Sequence, residues 1–232
     1  LAPVLHEIDL AVRSLKKWAA PRKVKTPWLL FPAVSRIRPE PLGSVLIIGA
    51  WNYPVQLVLS PLAGAMAAGN CAVVKPSEIS PHTSRVLAQM IKKTFDETYI
   101  AAVEGGVRES GLLLDQAFDF CFFTGSVRVG KIVMAAAARH LTPVTLELGG
   151  KNPCIVHADC NIDIAAKRIT WGKFINAGQT CIAPDYLWVH ESVKQPLVAA
   201  IKKCITRFYS TDPSTSPDFG RIINDSHVAR LL

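Results

Sequence analysis

The chain has 232 residues, a formal charge of +8 and 50% apolar residues, so it can hold one large domain or two small ones around a real core. Its start carries His6, Glu7 and Asp9, which does not fit a secretory leader, and its most apolar stretch, 55–69, is too short and too interrupted by Gln56, Ser60, Pro61 and Gly64 to cross a bilayer. Six cysteines without a CxxC pair or clustered histidines speak against zinc and against a secreted disulfide scaffold, so no metal is expected and an intracellular, reducing compartment is.

In chain order, Leu5, Ile8, Val12, Leu15 and Trp18 recur at helical spacing and predict an amphipathic helix ending before Pro21. Residues 1–38 hold eight Lys/Arg against Glu7 and Asp9. Such a surplus suits either a solvated helix face or contact with an anionic membrane or nucleic acid. The first is favoured, because no aromatic interleaving or nucleic-acid motif accompanies the charge. Residues 21–43, with five prolines and Trp28-Leu-Leu-Phe31, read as an extended arm outside the core.

From Gly43 the pattern becomes regular. Strands are expected at 44–48, 71–75, 99–103, 118–123 and 144–148, separated by helices at 56–68, 83–94, 109–116 and 127–140. That alternation implies right-handed βαβ units and an open, parallel, Rossmann-like sheet with helices on both faces, over residues 1–148 together with the N-terminal arm. Beyond Gly149 the cycle restarts with strands at 154–156 and 186–190 and helices at 164–174 and 193–209. Residues 149–232 thus read as an incomplete second α/β domain.

Ligands of open parallel sheets bind beyond the carboxyl ends of the strands, where Asn52, Lys75, Glu78, Gly125 and Glu147 fall. Each has two readings. Asn52 can donate to a developing oxyanion or simply cap the following helix. Lys75 and Glu78 can hold a ribose or form a surface turn. Glu147 is either a base raised in pKa by an apolar strand or a strand-end residue facing water. Phe123-Thr-Gly-Ser-Val-Arg-Val-Gly-Lys131 is a phosphate-loop candidate of strand, glycine turn and helix. It has Ile132 where a nucleotide-hydrolysing loop needs Ser or Thr for magnesium, which disfavours an NTPase. Cys71, Cys121 and Cys154 lie in apolar runs and are expected to be buried and inert, unlike Cys181 beside Gly178, Gln179 and Thr180.

Taken together, Trp51-Asn-Tyr-Pro54, Lys75-Pro-Ser-Glu78, Phe123-Thr-Gly-Ser126, Glu147-Leu-Gly-Gly-Lys151 and Gly178-Gln-Thr-Cys181 resemble, in order and spacing, the aldehyde dehydrogenase superfamily. Leu141-Thr-Pro-Val-Thr-Leu-Glu-Leu-Gly-Gly150 and Ala177-Gly-Gln-Thr-Cys-Ile-Ala-Pro-Asp-Tyr186 look in particular like class 3, which includes fatty-aldehyde dehydrogenases. The resemblance covers nearly the whole chain and is weakest before Pro41.

The resemblance implies oxidation of medium- or long-chain aliphatic, or aromatic, aldehydes to carboxylic acids with NAD or NADP. Cys181 is the implied nucleophile, Glu147 the general base and Asn52 an oxyanion donor. The implied cofactor residues are Trp51, Lys75, Glu78, Gly125, Ser126, Val129, Gly130 and Leu148. Glu78, near the ribose 2′-oxygen, favours NAD by charge. A homodimer is implied for the intact protein, with an aldehyde as partner and no nucleic acid. Some relatives also carry a C-terminal membrane anchor, so cytoplasm or the cytoplasmic face of an internal membrane is the expected location. Family members continue past Leu232, so the chain reads as a fragment of a class 3 enzyme. The rival reading is a truncated, inactive cofactor-binding or interaction protein of the same family.

Overall fold

Ser44-Val-Leu-Ile-Ile48 has apolar side chains at successive positions, and successive strand residues point to opposite faces, so both faces of this strand must be covered. The computed structural model, which describes residues 1–232, shows how. The chain forms two units, Leu1–Leu148 and Gly149–Leu232.

The first unit begins with α1 (Ala2–Trp18), followed by β1 (Arg22–Val24) and β2 (Ser35–Ile37). There follow β3 (Ser44–Ile48), α2 (Gln56–Ala67), β4 (Cys71–Lys75), α3 (Pro81–Thr94) and β5 (Ile100–Ala102). The unit closes with α4 (Val107–Leu114), β6 (Phe120–Gly125), α5 (Val127–Ala138) and β7 (Val144–Leu148). Five parallel strands lie in the order β5-β4-β3-β6-β7.

Val45 and Ile47 pack on one face with Val58 and Leu62 of α2 and Leu87 and Ile91 of α3. Leu46 and Ile48 face the other way, with Cys121, Phe123 and Val133 of α5 and, at the margin, Leu113 and Leu114 of α4. Helices therefore cover both faces, and a one-residue slip of β3 would exchange its two sets of core side chains. Strand order runs outward from β3 to β5, then returns to β3's other side with β6. The β3/β6 boundary is thus the switch point at which such sheets leave a crevice.

Side-chain amides and carboxylates fix the register where β3 begins. The buried Asn70 accepts from the backbone N–H groups of Leu42 (2.7 Å) and Gly43 (3.0 Å) and donates to the Ala65 carbonyl (3.1 Å). Asp119 accepts from the Ser44 backbone N–H (2.7 Å) and hydroxyl (3.0 Å), which lowers its carboxyl pKa from the usual 3.8.

Three expectations need correction here. The first helix exists, but Leu5, Ile8, Val12, Leu15 and Trp18 are exposed. Val4 is buried, with Ala11 and Ser14 half-buried beside it, and α1 packs against α2. Small side chains on that stripe allow the two helices to approach closely. The arm of residues 21–43 contains a ribbon: β1 and β2 pair antiparallel, apart from the main sheet. Cys71 is exposed rather than buried, because it opens β4 at the strand's amino end, whereas Cys121 in mid-strand is buried.

The second unit contains β8 (Asn152–Val156), α6 (Ile162–Phe174), β9 (Pro184–Val189), α7 (Glu191–Tyr209) and α8 (Asp225–Leu231). The strands pair in parallel. Val156, with Cys154, Leu187 and Val189 beside it, packs on Ala166 and Ile169 of α6 and Val193 and Leu197 of α7. Ile155, Tyr186 and Trp188 occupy the opposite face and are exposed.

Candidate active site

Four strands of the first unit deliver their loops to one end of one sheet. Ile48 is level with Lys75 on one side and with Phe123 on the other, while Thr124 is level with Glu147 and Gly125 with Leu148. The turn holding Trp51 and Asn52, the Lys75–Glu78 pair, the Gly125-Ser126 turn and Glu147-Leu148 therefore gather at the carboxyl edge of a single sheet. Parallel strands in register must bring their carboxyl ends to the same side. Trp51 and Asn52 are half-buried.

Lys75 ends β4 with its side chain 1% exposed. Its ammonium donates to the Pro76 carbonyl (2.9 Å) and lies 3.4 Å from a carboxylate oxygen of Glu78, whose side chain is 46% exposed. An ammonium has three N–H donors. Two have protein acceptors, which leaves one for a ligand. Thr124, also buried, has a hydroxyl oxygen with no hydrogen-bond partner. Leaving a buried polar group unsatisfied costs free energy, and Thr124 and the third Lys75 donor are two such groups near this edge.

Ser126 caps α5 through a hydrogen bond from the Val129 backbone N–H (3.3 Å). The first amides of this helix lack intrahelical acceptors and form a site suited to anionic oxygens. Gly130 is buried, and a Cβ there would come 2.8 Å from Leu148 Cδ2. Glycine thus lets α5 lie close to β7, at the end that bears Glu147. Glu147 itself is exposed. It is thus a strand-end residue facing water, not one enclosed by its apolar strand.

Cys181 belongs to the second unit, in the loop between the turn Ile175–Gly178 and β9. The backbone before it is unusual. Asn176 (φ 54°), Ala177 (φ 53°) and Gly178 (φ 76°) are consecutive left-handed residues. Ala carries a steric cost in that conformation of about 1–2 kcal/mol, so surrounding bonds must hold it. Gln179 supplies them: its side-chain amide donates to the carbonyls of Asn176 (2.9 Å) and Arg221 (3.0 Å) and accepts from the Ile223 N–H (2.9 Å). Asn152, at the start of β8, donates to the carbonyls of Cys181 (2.7 Å) and Ala183 (3.1 Å). The Cys181 backbone is therefore fixed on both sides, and its side chain is half-buried.

A family model described as the aldehyde dehydrogenase family matches residues 5–232. The chain belongs to that family. Among its relatives, mouse aldehyde dehydrogenase family 3 member B3 is 52% identical over 97% of this chain and 47% of its own length. The mouse dimeric NADP-preferring aldehyde dehydrogenase is 49% identical over 100% of the chain and 51% of its own length. Among solved structures, Staphylococcus aureus AldH in its substrate-bound state superposes with a TM-score of 0.93 at 51% identity, covering 100% of this chain and 50% of that one. A Mycobacterium tuberculosis aldehyde dehydrogenase complexed with NAD+ superposes with a TM-score of 0.86 at 28% identity, covering 98% of this chain and 47% of that one. The chain thus spans about half the length of the aldehyde dehydrogenases it matches.

Three residues with structural parts in this aldehyde dehydrogenase chain were given no role from sequence. In the sequence Thr124 is one member of the Phe123–Lys131 run and Gln179 a neighbour of Cys181. Asn152, one residue past the Glu147–Lys151 motif, carried a signal that could have found it: a polar amide opening a strand. Its acceptors lie 29 and 31 residues away, which no local pattern reveals.

Proposed function

We propose that this chain supplies the nucleotide-binding sheet and the thiol loop of an enzyme that oxidises aldehydes to carboxylic acids with NAD or NADP. The observation that carries the reading is the gathering of Asn52, Lys75, Glu78, Gly125, Ser126 and Glu147 at one sheet edge beside the strand-order switch. The NADP-preferring relative and the NAD+ complex of another support either nicotinamide cofactor.

In this reading Lys75 and Glu78 hold the adenosine ribose, with Trp51 and Leu148 as apolar cover. Gly125, Ser126, Val129 and Gly130 line the diphosphate region, with the α5 amino terminus favouring its negative charge. A bound nicotinamide supplies the acceptor for hydride. Cys181, as thiolate, attacks the aldehyde carbon to form a hemithioacetal. The oxyanion rests on the Asn52 side-chain amide and the Cys181 backbone N–H, donors that need no reorganisation when charge develops. Loss of hydride leaves a thioester on Cys181. Glu147 takes a proton from water, which attacks the thioester, and the carboxylic acid leaves as Cys181 is regenerated. Medium- or long-chain aliphatic and aromatic aldehydes are the proposed substrates, and a homodimer the proposed assembly of the intact protein.

The test is NADH or NADPH formation with a medium-chain aliphatic aldehyde, with Cys181→Ser as control. Turnover abolished by the serine change supports the assignment. Turnover that survives the change, in protein free of other dehydrogenases, overturns it.

A further inference from the structure

The Gln179 side-chain amide reaches 42 and 44 residues along the chain. Its Nε2 donates to the carbonyls of Arg221 (3.0 Å) and Asn176 (2.9 Å), and its Oε1 accepts from the Ile223 N–H (2.9 Å). Both donors and the acceptor are thus engaged, an arrangement that fits glutamine. Glutamate would set an oxygen against two carbonyl oxygens, and asparagine is one carbon shorter. A Cβ on Gly220 would lie 3.4 Å from the Ala177 nitrogen and 3.5 Å from the Asn176 carbonyl carbon, so this segment runs beside the left-handed turn before Cys181. Arg221 stiffens the segment, its guanidinium donating to the carbonyls of Ser214, Phe219 and Gly220.

What the tie controls is the direction of one peptide. The Ala183 N–H donates to the Thr180 carbonyl (3.1 Å). A trans peptide is planar with its C=O and N–H opposed, so this bond also directs the Cys181 N–H away from Ala183. Upstream, the Gln179 N–H donates to the Asn176 carbonyl (3.1 Å) and the Thr180 N–H to the Gly178 carbonyl (2.9 Å). The chain enters that peptide through three consecutive left-handed residues, a conformation Asn and Ala keep only where the surroundings restrain them. The Gln179 amide is a restraint of that kind, anchored outside the turn.

We propose that Gln179 is a positioning residue for the thiol step. By tying the turn Asn176–Gly178 to the segment Gly220–Ile223, it aims the Cys181 N–H at the oxygen of the adduct formed on Cys181. The inference rests on the assignment of Cys181 as nucleophile and of its N–H as oxyanion donor. Preorganisation of that donor then depends on residues 220–223, which touch no reacting atom.

The test uses the full chain and two thiol reagents. 4-Nitrophenyl acetate acylates a thiolate: a sulfur–carbon bond forms, the carbonyl becomes a tetrahedral oxyanion, and its collapse breaks the ester C–O bond and releases 4-nitrophenolate. Iodoacetamide alkylates the same thiolate with loss of iodide and forms no oxyanion. Gln179→Met keeps the side-chain length and removes all three amide bonds. It should lower acylation of Cys181, measured as the nitrophenolate release that Cys181→Ser abolishes, by about 10- to 100-fold. Alkylation of Cys181, read by peptide mass mapping, should not fall. Cys204, buried in the same unit, reports whether that unit has opened. Should Gln179→Met fail to fold, Arg221→Met decides: it loosens the segment, leaves the amide in place and should lower acylation to a smaller degree. Acylation unchanged, acylation and alkylation lost alike, acylation lost only together with rapid Cys204 alkylation, or no Cys181-dependent acylation in the parent overturns the proposal. The dehydrogenase assignment is judged separately, by nicotinamide reduction with aldehyde, so either can fall without the other.

Discussion

Replacing Lys75 with Met should separate stability from cofactor binding in opposite directions. The ammonium is 1% exposed and has the Pro76 carbonyl at 2.9 Å and Glu78 at 3.4 Å as partners. Burying such a cation costs several kcal/mol after relaxation. A hydrogen bond from a charged donor returns about 1.5–3 kcal/mol, and the half-exposed Glu78 adds only about 0–1 kcal/mol because water screens it. Without ligand the balance is near zero or unfavourable, so Met, with similar length and no charge, should leave stability unchanged or raise it by about 1–2 kcal/mol. Loss of the remaining donor should weaken nicotinamide cofactor binding by about 1.5–3 kcal/mol, roughly 10- to 150-fold. Thermal melts with and without cofactor, with equilibrium titration of NAD, measure both. A variant that melts well below the parent yet binds NAD unchanged would show that Lys75 is structural, and the ribose assignment would fall.

The thiols should differ in reactivity. Burial pushes the Cys121 thiol up to about 11, so iodoacetamide at pH 8 should modify the exposed Cys71 and the half-buried Cys181 long before Cys121, read by peptide mass mapping. Early modification of Cys121 in folded protein would refute its place in the sheet core. Asp119 should contribute to acid stability. Its pKa is held below 3.8 by Ser44, so its stabilisation is present above that value and lost as pH falls through the lower folded pKa. Asp119→Asn should therefore flatten the acid limb of a circular-dichroism titration below about pH 4, and an unchanged limb counts against the bond. Asn152→Ala removes two hydrogen bonds from the Cys181 loop and should cost about 1–3 kcal/mol in urea denaturation, with faster Cys181 alkylation as the loop loosens. Unchanged stability and alkylation rate would mean that the loop is held without Asn152.

Much of the site was legible because its residues are bound to strand ends, and strand ends are marked locally. The run Ser44–Ile48, the Gly69-Asn70 stop and the Ser126 cap each state their structure within a few residues, since backbone periodicity and capping are short-range. The strand at residues 99–103 narrowed to Ile100–Ala102, and that at 118–123 moved to Phe120–Gly125. Strand limits depend on pairing partners, which lie far away in sequence: the Ala72 N–H donates to the Tyr99 carbonyl and the Cys121 N–H to the Pro143 carbonyl.

By itself the sequence determined the βα alternation and the five motifs that resemble the family. Only the tertiary structure decided that β3 is central, which puts the strand-order switch between β3 and β6. It alone decided that α1 turns Val4, Ala11 and Ser14 inward, that Lys75 is buried and that Glu147 is not. It alone brought Gln179 to Arg221 and Ile223, and Asn152 to Cys181. The reason is the range of the forces. Conformational preference acts over a few bonds, whereas burial and hydrogen-bond partnership depend on which distant segments the packed core brings into contact.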